Sequence, residues 1–455
     1  MKETPAEQQK PGKRNVLMFF LPSLLGIFLF MTPVNYDGDL TIMIAVLAKI
    51  LQAVLAGALP SIVTALIVVS AVLSLFATVF KPKSVVKRPF PNALFNTSPV
   101  WLISRLVGAV FVVLVYARIG PDILYGDDTG GLVLNDLLPV LFAVFVFAGL
   151  LLPLLLDFGL LELVGTLLTR IMRPVFGLPG RSAIDCIASW LGDGSVGILL
   201  TSKQYEGRHY TQREAAVIGT TFSAVSITFS LVVLAQVRLE HLFLPFYFAV
   251  CLAGIVAAIV VPRLPPLSWK KDVFINGESR PTDNEVTPAG YSRLSHGYAL
   301  ALARAGKVES LKQVGLTGIR NALDMVLGVL PVVMAFGTLA LIIAETTPLF
   351  SWLGVPFVPL LEWLHIPEAT AASQTIVVGF ADMFIPAILA SSIDNEMTRF
   401  VIASLSVTQL IYMSEVGALL LGSKLPVNVI ELFVIFLLRT LVTLPVIALV
   451  AHAVF

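Results

Sequence analysis

Four carboxylates of this 455-residue chain are embedded in apolar sequence: Asp185, Asp193, Asp382 and Glu415. An ionised carboxylate at membrane depth costs several kcal/mol unless it is paired or hydrated, so each is a candidate for function. Asp193, in Gly192-Asp193-Gly194-Ser195, and Asp382, in Gly379-Phe380-Ala381-Asp382, fit equally well as caps of short helices at the membrane boundary. For Asp185 and Glu415 the functional reading is stronger. Glu415 is suited to hold a coupling proton or to pair with a substrate amine. Amides and hydroxyls cluster around these acids. Ser373-Gln374-Thr375, then Thr408-Gln409 and Tyr412, could bind a nucleobase, sugar or amino acid, and Ser189, Thr220, Thr221, Ser223 and Ser226 offer the same chemistry earlier in the chain. Any single Ser or Thr is more often a helix-packing residue in a membrane. Gln374 and Gln409 are harder to explain that way.

Other reactive residue types carry less. The five histidines lack ligand spacing, so no zinc or haem site is expected. Cys186 and Cys251 lie far apart in apolar stretches and read as small core residues. Arg105 and Arg439, inside apolar helices, are expected to snorkel toward helix ends. There is no Walker loop and no nucleophile, acid and base set, so the chain is not expected to be an enzyme or to carry a cofactor beyond a coupling Na+ or H+.

The elements that must position these residues are transmembrane helices. With 57% hydrophobic and 13% charged residues, the chain has more apolar surface than a soluble fold could hide. Lys and Arg total 30 against 29 Asp and Glu, so no net field would draw nucleic acid. The expected spans are 16–33, 60–80, 100–116, 133–156, 213–237, 242–261, 322–344, 398–421 and 425–450. The stretch 40–59, with Lys49 near its middle, is either a span or a half-immersed helix. Lys and Arg collect on the cytoplasmic side, which places the amino terminus, 81–88, 170–213 and 263–320 inside and the acidic turn with Asp122, Asp127 and Asp128 outside. This assignment requires 40–59 not to cross.

The two halves echo one another. Leu138-Pro139-Val140 and Leu330-Pro331-Val332 each open an apolar helix, followed by an amphipathic stretch (160–175 and 350–364), a hairpin (181–202 and 369–392), and a Ser/Thr-rich helix. The charge assignment makes the first copy run inward where the second runs outward. Inverted repeats broken at matching places point to an alternating-access carrier with a mid-membrane site. Backbone freed inside an apolar hairpin is tolerated only where it borders a wet cavity, so both hairpins are expected to be re-entrant.

Gly192-Asp193-Gly194 followed by Gly219-Thr220-Thr221-Phe222-Ser223 resembles the Gate-type "nucleoside recognition" membrane proteins, and the whole chain looks like their YjiH branch. That group includes concentrative nucleoside transporters, in which a hairpin Gln-Thr pair helps hold the base. Gln374-Thr375 is similar to that pair, although Ile376 stands where an acidic residue follows it in those transporters. The resemblance implies paired hairpins and interrupted helices, often in a homo-oligomer. The expectation is an all-α polytopic membrane protein with two inverted-topology repeats, each with a re-entrant helical hairpin and an interrupted transmembrane helix. Its parts would be N-terminal helices (1–130), a first repeat (131–262), a cytoplasmic linker with an amphipathic segment (263–320) and a second repeat (321–455). It would sit in the bacterial inner membrane and carry a small polar solute such as a nucleoside, amino acid or small peptide. A non-transporting scaffold or sensor is the competing reading.

Overall fold

The computed structural model describes residues 13–36, 39–191, 194–222, 225, 227–279, 292–308 and 310–455. Helices dominate because long apolar runs must satisfy their own backbone in lipid. Helix α1 (Lys13–Met31) leads into one departure from an all-α chain, a hairpin of β1 (Pro33–Tyr36) and β2 (Asp39–Ile42) with Pro33 opposite Ile42. Next come α2 (Met43–Leu55) and α3 (Leu59–Phe80), separated by a 3-10 turn at Ala56–Ala58. Thirteen residues of α2 rise about 20 Å, short of the ~30 Å apolar core, which suits a half-immersed helix. A short α4 (Pro89–Phe95) precedes α5 (Pro99–Ala117).

The first half then runs through α6 (Leu138–Leu151), the amphipathic α7 (Leu160–Phe176), the pair α8 (Ser182–Leu191) and α9 (Gly194–Glu206), α10 (Gln212–Thr221), α11 (Ile227–Gln236) and α12 (Phe243–Val260). Within 263–320, α13 (Arg293–Gly306) docks along α7, and α14 already begins at Leu311 and runs to Gly328. Gly159, at φ 99°, is where that docking is tightest: a Cβ there would meet Ala301 O at 2.4 Å. Arg304 to Asp157 at 2.8 Å fastens the same end.

The second half follows with α15 (Leu330–Thr346), a segment that Pro356 and Pro359 divide into short turns (349–363), α16 (Ala369–Ile376), α17 (Ile385–Ala390), α18 (Glu396–Gln409), α19 (Val416–Gly422) and α20 (Val429–Val454). Two expected continuous spans are therefore broken: 213–237 between Thr221 and Ile227, and 398–421 between Gln409 and Val416.

Among the described residues, seven helical stretches are long and apolar enough to cross a membrane: Lys13–Phe30, Met43–Phe80, Pro99–Ala117, Asp122–Leu156, Phe243–Arg263, Leu311–Thr346 and Val429–Val454. Their outer faces carry bare apolar side chains such as Leu244 (80% exposed) and Ile430 (77%), an exterior that suits lipid and not water. The chain is a multi-pass membrane protein. Inside, α14 lies along α6 and α15 along α5, so the two halves share one core. Gly108 sets the α5–α15 crossing, because a Cβ there would lie 2.0 Å from Pro331 O.

Candidate functional site

The site is built on the two broken helices. A capping box starts α10: Thr211 Oγ1 accepts from Glu214 N, and Glu214 accepts from Thr211 N at 3.0 Å. Arg173 of α7 holds the same Glu214 at 2.7 Å. Helix α18 is capped by Asn395, which accepts from Thr398 N at 3.1 Å, and it stops where Leu410 turns to φ 69°. Each helix end leaves carbonyls without an intrahelical donor. One side chain meets both sets. Arg439, near the middle of α20 and 1% exposed, donates from Nε and Nη2 to Thr408 O (3.1 and 2.7 Å) and from Nη1 to Thr220 O and Thr221 O (3.4 and 3.2 Å).

Its charge balance explains how a cation tolerates that depth. A helix C-terminus carries about −0.5 elementary charge, so two ends facing one guanidinium supply roughly one negative charge. Arg439 therefore does not snorkel; it fastens a breakpoint of the first half to a breakpoint of the second. Arg105, 7% exposed, does not snorkel either, and it donates to Ser74 Oγ at 2.7 Å and Leu94 O at 2.8 Å, tying α5 to α3 and α4.

The second break is closed onto the turn between α16 and α17. Met413 N donates to Phe380 O (2.7 Å) and Ser414 N to Ala381 O (2.9 Å), so the unwound backbone borrows acceptors from the turn. Ser414 Oγ donates to Asp382 Oδ2 at 2.6 Å, while Asp382 Oδ1 accepts from Phe384 N at 2.8 Å. Asp382 thus caps the turn and clamps the break. Tyr412 OH donates to Glu415 Oε2 at 3.1 Å. Gln409 Nε2 donates to Ile376 O (3.0 Å) and Thr440 Oγ1 (2.9 Å), while its Oε1 is buried without a partner. Gly379 makes room for that oxygen, since a Cβ there would sit 2.3 Å from it.

In the first half, Asp185 is 1% exposed on α8 and accepts at Oδ2 from Tyr210 OH (2.9 Å) and Thr201 Oγ1 (3.1 Å); its Oδ1 is buried and unpaired. Ser189 is buried where α8 meets α9 closely, against Gly197. The hydroxyls of Thr220 and Thr221 turn back onto the carbonyls of Ala216 and Val217, and Thr375 Oγ1 onto Ala372 O, so these three serve their own helices. Gln374 lies exposed, apart from the buried groups. Asp193 and Ser223 lie outside the described residues. The structure therefore gathers Asp382, Gln409, Tyr412 and Glu415 at the second break, and gathers Thr220 and Thr221 with Thr408 around Arg439.

The packing between halves is reciprocal. Helix α9, the outgoing arm of the first pair, lies on α19, the piece after the second break; α17, the outgoing arm of the second, lies on α11, the piece after the first break. Phe229 against Phe384, centroids 5.8 Å apart, is part of that second contact. Two cavities open between these elements, and one of them reaches the node. One, of about 440 Å³, has apolar walls from α7, α8 and α12 and a polar end at Thr221, Thr408 and Arg439. The other, of about 230 Å³, is a charged cleft between α9 and α19, bridged between halves by Lys203 to Asp324 (2.5 Å) and Lys424 to Glu206 (3.1 Å). Sequence reasoning missed this cleft; its signal was an acid, Asp324, inside an apolar run.

With this geometry established, similarity to known proteins is informative. The family model described as Gate, nucleoside recognition, matches residues 138–239, from the start of α6 through α11. An uncharacterized protein of Alkalihalophilus pseudofirmus is 50% identical over 441 residues, covering 97% of this chain and 95% of that protein. The chain belongs to the Gate, nucleoside recognition family. This Gate protein is also similar to a solved structure of CNTnw in an outward-facing state, at 13% identity and a TM-score of 0.37, covering 90% of this chain and 99% of that one. The match over 138–239 ends beyond the first break, so the Gate unit contains Asp185 and the carbonyls that Arg439 caps.

Proposed function

We propose that this Gate protein is a secondary carrier of a small polar organic solute, a nucleoside, amino acid or small peptide, across the bacterial inner membrane by alternating access. The observation that carries the reading is the joining of two helix breaks, one from each half, on the single guanidinium of Arg439. Such a node is a hinge shared by two bodies, and half-helix ends near a cavity are the usual means of holding a solute at depth. The reciprocal packing of α9 on α19 and α17 on α11 supports two inverted repeats, 131–262 and 321–455, joined by a cytoplasmic linker at 263–320 and preceded by helices in 1–130. In this reading the pairs α8–α9 and α16–α17 are re-entrant hairpins, and the amino terminus is cytoplasmic. Asp185, Gln409, Tyr412, Glu415 and Asp382 line the solute or ion path, and H+ or Na+ drives it. The family's description supports a nucleoside-like solute. The protein transports and does not catalyse.

The test is uptake by proteoliposomes of purified full chain, offered a panel of labelled nucleosides, amino acids and dipeptides under an imposed H+ or Na+ gradient. Gradient-dependent accumulation of one class supports the reading. No accumulation by protein that stays folded overturns it.

A further inference from the structure

The charged cleft contains a pattern that its own ion pairs leave incomplete. Lys203 takes Asp324 Oδ2 and Glu206 Oε1 (2.5 and 3.3 Å), and Lys424 takes Glu206 Oε2 (3.1 Å). Arg105 uses only Nη1, on Ser74 and Leu94, while its Nε is buried without a partner. Asp324 gives Oδ2 to the lysine and leaves Oδ1 beside the cleft. These two spare groups face one notch. An atom placed at the Cβ position of Gly328 would stand 3.6 Å from Arg105 Nη2 and 4.0 Å from Asp324 Oδ1, with no other contact nearer than 3.9 Å. Phe145, Val332 and Leu419 give the cleft an apolar side, while Asn96, Ser195 and Ser202 add polar groups elsewhere in its wall.

A fixed cation and a fixed anion that stand across a gap without bonding each other match a ligand that carries both charges a few bonds apart. A neutral nucleoside leaves both charges unanswered, and a simple anion answers Arg105 alone and brings no donor to Asp324 Oδ1. We propose that the cleft binds a zwitterionic aliphatic α-amino acid, with its carboxylate on Arg105, its ammonium on Asp324 and its side chain against Phe145, Val332 and Leu419. The proposal rests on the carrier reading, since it names that carrier's solute class. Charge-assisted hydrogen bonds at both ends make the match specific.

The experiment is thermal stabilisation and calorimetric binding of the purified full chain with L-valine, N-acetyl-L-valine, L-valinamide and uridine, run beside liposome uptake of labelled L-valine and uridine. L-valine is expected to bind, and blocking either charged end to weaken binding by about tenfold or more. Asp324→Asn should lose binding. Gly328→Leu, which fills the notch between the two charges, should lose it as well, and the blocked ligands tested on the unsubstituted chain keep the test intact if either variant fails to fold. Equal binding of L-valine and its blocked forms, or unaltered binding by folded Gly328→Leu, overturns the proposal. Uridine uptake without L-valine binding overturns it and leaves the carrier standing. L-valine binding with no uptake of either solute supports the site and counts against the carrier.

Discussion

The two helix breaks are satisfied by different means. The second, between Gln409 and Val416, is closed onto its hairpin turn by two backbone hydrogen bonds and the Ser414 to Asp382 clamp. The first, after Thr221, is held among the described residues through its carbonyls by Arg439 alone, donated from a helix of the other half. The cleft, meanwhile, lies along α9 of the first hairpin and α19 of the second broken helix, with Phe145 and Met325 deeper in its wall. The difference separates locking from hinging. In the proposed carrier, a break zipped to its own hairpin moves with it as one body, whereas a break held by a guanidinium from the other half is where the two bodies pivot.

Removing the shared cap should have the largest effect. Arg439→Leu leaves buried carbonyls at both breaks without a donor, at about 1–3 kcal/mol each, and is expected to abolish the monodisperse folded peak in detergent size-exclusion chromatography. Arg439→Lys, with a point charge unable to fork between the two helix ends, should give an intermediate melting temperature. A melting curve for Arg439→Leu that overlays the wild type would break the comparison. Next is Gly379→Ala, which pushes a methyl onto Gln409 Oε1 and should cost about 1–3 kcal/mol, read as a lowered melting midpoint against Gly57→Ala, where a Cβ meets nothing within 4 Å.

Ser414→Ala, which loosens the second break only, should cost about 1 kcal/mol because Asp382 is half-buried. Amide exchange should rise across 410–415 and not at Thr220 and Thr221; a rise at both would show that the breaks open together. The smallest effect is a pH slope from the turn before α10. Burial, with Arg181 and Arg304 nearby, pushes the imidazole of His209 down to about 3. The unfolded chain then binds the extra proton as pH falls below about 6.5, so stability declines from there toward pH 3. His209→Gln should flatten that decline in melting temperature.

Most of the apolar spans, and the openings of α6 and α15 at Leu138-Pro139 and Leu330-Pro331, were legible because apolar runs and proline positions are local signals. The start of α10 has a local signal that the expected span 213–237 passed over, Thr211 with Glu214 three residues on. Its end has none. Thr221 and Phe222 are compatible with a continuing helix, and the stop is marked by the tertiary bond from Arg439, more than two hundred positions away. Leu410 is equally silent, since nothing in its type forecasts φ 69°. Arg439 itself was misread because an arginine in an apolar run looks alike whether it reaches the interface or meets two helix ends. Gln374 is a case of the opposite kind: its chemistry suits a ligand, but in the short α16 small residues cover both faces, and periodicity could not tell which way it would point.

The account stands on relative movement of the halves opening and closing the cleft. In a chain with Cys186 and Cys251 replaced by Ala, Glu206→Cys and Lys424→Cys, substituting the 3.1 Å ion pair, would be bridged by a short bis-maleimide and assayed for uptake in liposomes. Uptake should be intact in the unbridged double variant and lost once bridging is complete. Full bridging with undiminished uptake would show that the solute does not depend on these halves moving apart.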